Sequence, residues 1–148
     1  MAIGQTLERM DDRLDAIETS LIQVLQTRVI SRDLKHYTEQ TDADLTAGVV
    51  TIVSSGEKDY SKDLGMAARD GTQSVLLVGH LRIAEGMGGK AVEAAELDLI
   101  EEIKAWMRAG VTGMSLHLNN VQHSRQLDNP YGWIVAYVDA GPPSQTTY

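Results

Sequence analysis

Ser124-Arg-Gln-Leu-Asp-Asn-Pro-Tyr-Gly-Trp-Ile-Val-Ala-Tyr-Val-Asp-Ala-Gly-Pro-Pro143 is the stretch whose reading decides the fold. Tyr131–Asp139 is rich in β-branched and aromatic residues, as a half-buried strand is. Just before it, Leu127-Asp-Asn-Pro130 supplies turn chemistry, because Asp and Asn bond their own backbone and proline fixes φ. Val121–Gln126 precedes the turn, so the pattern predicts a final antiparallel hairpin with Arg125 near the middle of its first strand. Pro142-Pro143 ends the second strand, since proline has no N–H for the ladder. Residues 142–148 are then expected as an extended polar C-terminal tail. Trp133 and Tyr137 alternate on one strand face, with Tyr131 before them. Such a stripe suits either a core or a subunit boundary, where aromatics anchor contacts.

Upstream, Gly113–Leu118 alternates weakly and is read as a further strand. Lys90–Ala109 sets Val92, Leu99, Ile100, Ile103, Trp106 and Met107 on one helical face, and Gly110 stops the helix. Ser74–Ile83 is a strand with Val75, Leu77, Leu81 and Ile83 on one side and Leu76, Val78, His80 and Arg82 on the other. Gly48–Ser54 is a second β-branched strand. Residues 55–72 between them form a connection longer than the ~12–15 residues of ordinary loops, and long loops are commonly functional. Its charges alternate in sign around Tyr60, Leu64 and Met66, with Arg69 beyond, a composition suited to ordering against a partner or to a mobile hairpin tip. Residues 31–46 have no apolar period and are read as a surface connection with at most a short helical turn. Leu7, Met10, Leu14, Ile17, Leu21, Val24 and Leu25 fall at steps of three and four, so an amphipathic helix is expected over roughly 5–29, within the N-terminal segment 1–30.

The order of elements predicts an α+β fold: an antiparallel or mixed sheet of four to five strands with two helices packed on one face, as a single domain over 1–148. At 148 residues such a chain can bury about 70% of its unfolded surface. Several strands are apolar on both sides, and one helical layer covers only one side. Subunit association is the natural cover for the other.

Composition narrows the function. The 21 acidic and 13 basic side chains give a net charge of −8, against a nucleic-acid surface built on Lys and Arg. The chain has no cysteine, which removes disulfides, thiolate zinc sites and a cysteine nucleophile. Met1–Arg9 has no apolar run of signal-peptide type, and nothing approaches the ~18 apolar residues of a membrane span, so a soluble, unexported protein without membrane contact is expected.

Catalytic motifs are missing. Gly86-Met-Gly-Gly-Lys90 before a helix resembles a phosphate cradle, but Ala84 and Ala91 stand where a P-loop needs Gly and Ser or Thr. His36, His80, His117 and His123 form no i, i+4 pair or H-E-x-x-H pattern, although His117 and His123 are placed to face one another if they lie on neighbouring strands. The pairs Asp11–Asp12 and Glu101–Glu102 sit on polar helix faces, and Gly-x-Ser-x-Gly does not occur. No catalytic, metal-binding or cofactor-binding residue is expected.

The Ser124–Asp139 stretch, the N-terminal helix, the strand Val49-Val-Thr-Ile-Val53 and the helix segment Leu99-Ile-Glu-Glu-Ile-Lys104 together resemble the minor tail proteins of long-tailed bacteriophages, and among them the tail terminator family. The resemblance covers the order of elements over residues 7–143, with the C-terminal stretch its most distinctive part. It implies a non-enzymatic structural virion protein at the tail–neck junction. There a homo-oligomeric ring, a hexamer, caps the tail tube, ends its polymerisation and joins the tail to the head and neck. The partners it implies are the major tail tube protein and a neck or head-completion protein, with DNA passing through an acidic channel without specific binding. Residues placed to make the interfaces are Tyr60, Leu64, Met66, Arg69, Arg125, Tyr131, Trp133 and Tyr137. A neck or tail-completion protein shares this size and ring habit. Less fitting alternatives are a small ligand-binding domain or enzyme using His80, Arg82 and His123, and a monomeric interaction module.

Overall fold

A computed structural model describes residues 9–58 and 71–141. The elements are α1 (Met10–Val24), β1 (Val29–Ser31), a 3-10 turn (Tyr37–Glu39), α2 (Asp42–Ala47), β2 (Val49–Lys58), β3 (Thr72–Arg82), α3 (Gly89–Ala109), β4 (Ser115–His123) and β5 (Tyr131–Gly141). The five strands form one mixed sheet in the order β1-β2-β3-β5-β4, parallel only between β1 and β2. The fold is α+β, as the sequence predicts.

Strand alternation assigns the two faces. On one, Val50, Ile52, Val75, Leu77, Leu81, Ile134, Ala136 and Val138 meet Leu14, Ile17 and Leu21 of α1 and Leu99, Ile103 and Trp106 of α3 in a single buried cluster. Trp106, wholly buried, donates its indole N–H to Ser20 Oγ at 2.8 Å and so ties the two helices together. Gly79 makes room for this packing: a Cβ there would stand 2.6 Å from Leu99 Cδ2 and 2.7 Å from Ile134 Cγ1.

Four expectations are corrected. Helix α1 ends at Val24, short of residue 29, because Leu25 leaves helical dihedrals and the β-branched Val29 and Ile30 enter the sheet beside Val49 and Val50. The 31–46 connection contains real structure, including α2, whose first turn is capped by Thr41 Oγ1 accepting from the Asp44 N–H. In the 55–72 connection, β2 runs on to Lys58 and β3 starts at Thr72, the pairs Glu57↔Gln73 and Lys58↔Thr72 lying beyond a register shift after Ser54. Tyr60, Leu64, Met66 and Arg69 of that connection, and the tail 142–148, lie outside the described residues. Finally, the two strands read at 113–118 and 121–126 are one strand, β4, with a bulge between Leu118 and Asn120.

Candidate assembly surfaces

The second face of the sheet is only partly covered. The 3-10 turn and α2 lie across one end of it: Tyr37 stacks on Tyr131 with ring centroids 4.6 Å apart, Asp42 reaches Arg82 at 3.7 Å, and Gln40 Nε2 donates to His80 Nδ1 at 3.4 Å. Leu45 and Val49 are buried there, away from the main core. Burial and the nearby His36 both push the His80 pKa down, which favours the neutral ring that this hydrogen bond requires.

Beyond that cover, two cross-strand rows stand half open: Val53, Leu76 and Tyr137, then Thr51, Val78 and Val135. Thr51 alone of these is buried. Tyr137 donates to Gln122 Oε1 at 3.3 Å on the edge strand. A shallow depression of about 340 Å³ opens at the end of these rows, lined by Leu76, Tyr137, Ser55, Asn120 and the ion pair Lys58–Asp139.

The β2–β3 hairpin is anchored at its base by Arg13 of α1, whose side chain is wholly buried. Its guanidinium lies 3.1 Å from Glu57 Oε2 and donates to the Gly71 carbonyl at 2.8 Å. Glu57 also accepts from the Gly71 N–H at 3.2 Å. Glu57 and Gly71, on either side of the connection, are therefore both fixed to α1. The spacing of α1 places Arg13 beside the apolar stripe, three residues after Met10 and four before Ile17, but marks neither of its partners.

At the opposite end of the sheet, the turn 124–130 is held from beneath by Glu96 of α3. This carboxylate is wholly buried and accepts from the Trp133 N–H at 2.9 Å and from Ser124 Oγ, with His123 Nδ1 at 3.1 Å. Gly132 permits the approach, because a Cβ there would stand 2.7 Å from Glu96 Oε2. Ser124 still donates its N–H to the Trp133 carbonyl at 3.1 Å, and held there by Glu96 it is the last rung before the chain leaves the ladder. Arg125 and Gln126 consequently sit in the turn at φ 57° and 68°, and the expectation of Arg125 within a strand is overturned. Left-handed backbone at two successive residues with side chains costs of the order of 1 kcal/mol or more each. Leu127, next in line, is 78% exposed.

Of the remaining residues proposed from sequence, Tyr131, Trp133 and Tyr137 all lie on the second face, half-buried and away from the main core. Trp133 donates its indole N–H to Asp128 Oδ2 at 3.2 Å, bracing the turn it follows. His117 and His123 do not face one another: both are on β4, opposite Asp139 and Ile134, and so on opposite faces. For the same reason His80 and Arg82 are separated by the sheet from His123. Among the described residues no cluster of three or more His, Cys, Asp or Glu is arranged to hold a metal ion, and no helix is long and apolar enough to cross a membrane. Comparison with protein-family models and with curated proteins gives no match.

Proposed function

We propose that the protein is a non-enzymatic structural subunit that works by assembling with its own copies, and that the assembly is a ring of tail-terminator type, capping a phage tail tube and joining it to the neck. The observation that carries this is the half-open second face of the sheet, where Val53, Leu76, Val78 and Val135 form an apolar patch that the described residues cover only in part. A contiguous apolar patch on a small domain marks a contact surface. The phage assignment rests on the resemblance of the 124–139 stretch and on the element order. The anchored ends of β2 and β3 fit it as the support of a second contact element, the connection between them.

Electron microscopy of particles assembled without this protein tests the role. Overlong tails without heads are expected, whereas tails of normal length contradict a terminator and move the role to the neck. Removing residues 61–68 while keeping Glu57 and Gly71 should leave the melting temperature unchanged and abolish tube capping; normal capping removes the hairpin from the contact.

A further inference from the structure

We propose that the turn Arg125-Gln-Leu127 of one copy docks on the open sheet face of the next copy, at Val53, Leu76, Val78 and Val135. The inference rests on the assembly proposed above and names the two surfaces that meet. Leu127 has 78% of its surface in water, more than any other large apolar residue among those described. It is not on a slack loop. Its N–H donates to the Ser124 carbonyl at 3.2 Å, and Ser124 and Trp133 are fastened to the buried Glu96 below. Asp128 accepts from the Trp133 indole on the other side. The turn keeps two left-handed residues with long side chains beside the exposed leucine, and such strain gathers at functional sites.

The occupant is argued from charge and shape. Arg125 is exposed beside Leu127, on a chain of net charge −8, so the field of a second copy attracts this corner while copies otherwise repel. The receiving face is apolar and shallow, with the depression beside Leu76 and Tyr137 at its end. Turn and face are different surfaces of the subunit. Contact between them is therefore heterologous, the kind that repeats head to tail and closes into a ring when the rotation allows.

The chain's lack of cysteine makes the test direct. Leu127→Cys and Val78→Cys single variants are mixed and treated with a short thiol-to-thiol cross-linker, alongside the Leu127→Cys, Val78→Cys double variant. A pairing of Leu127→Cys with Asp15→Cys, on the exposed helical side, serves as control. The expected result is one dimer band from the mixed singles, a ladder from the double variant and none from the control. Leu127→Asp should convert the assembly to monomers that remain folded, with the circular-dichroism spectrum of the wild type. An assembly that survives Leu127→Asp, or cross-links to the control position and not to Val78→Cys, overturns the docking pair while leaving self-assembly standing. A wild-type protein that stays monomeric at high concentration overturns both.

Discussion

Leu77 and Val78 are neighbours in β3, both apolar, and they meet opposite fates. Leu77 is wholly buried under α1 and α3, whereas Val78 stands half open on the other side of the sheet. The same contrast divides the two tryptophans: Trp106 is sealed between helix and sheet, and Trp133 braces a turn on the second face. One face is finished by the chain itself. The other, beyond the 3-10 turn and α2, carries apolar residues at the same spacing that no further layer of the described residues covers, and the contact between copies proposed above would account for them.

The contrast can be broken first at the finished face. Trp106→Ala should cost about 3–5 kcal/mol, because a large cavity opens at the centre of the core. A fall in denaturation midpoint that reports less than ~1 kcal/mol would mean that the core face is looser than its burial indicates. Glu96→Ala comes next, at about 2–3 kcal/mol, since the Trp133 N–H and the Ser124 hydroxyl lose a buried acceptor together. Hydrogen exchange should accelerate first at Trp133 and along the 124–130 turn; uniform exchange would separate the turn from the carboxylate.

Trp133→Ala, on the second face, should cost only about 1–2 kcal/mol in the isolated subunit, since the indole is half-buried and loses one hydrogen bond. A cost equal to that of Trp106→Ala would erase the distinction between the faces. The smallest effect expected is the pH dependence of the cover over this face. His80 has its pKa lowered from an ordinary 6.5, so the unfolded chain takes up the proton first as pH falls. The stability this contributes is complete above pH 6.5 and is lost as pH drops through the lower folded value. His80→Gln should flatten the melting temperature in that window, and an unchanged slope would place the titrating group elsewhere.

Much of this fold is legible in the sequence, because β3 and α3 carry strong periods: every second residue of β3 is buried as the alternation predicts, and Gly110 ends α3. The polar devices are not legible. Arg13 and Glu96 fall on the apolar sides of their helices, Arg13 between Met10 and Ile17 and Glu96 between Val92 and Leu99, but the groups that satisfy them lie 44 and 37 residues away in Glu57 and Trp133. No local period encodes such pairs. The turn at 124–130 departs from its expected place for the same reason, since a strand reading of Val121–Gln126 takes no account of a carboxylate on α3 that holds Ser124 as the last rung of the ladder. The apolar doubling of β3, by contrast, can be read directly from Leu76 and Val78 opposite Leu77 and Leu81.

The mass of the subunit in solution, measured by light scattering for the wild type and for Val78→Asp, tests the central claim most directly. The wild type should be a multimer, and Val78→Asp a folded monomer. A monomeric wild type, or a Val78→Asp assembly of unchanged mass, would contradict it.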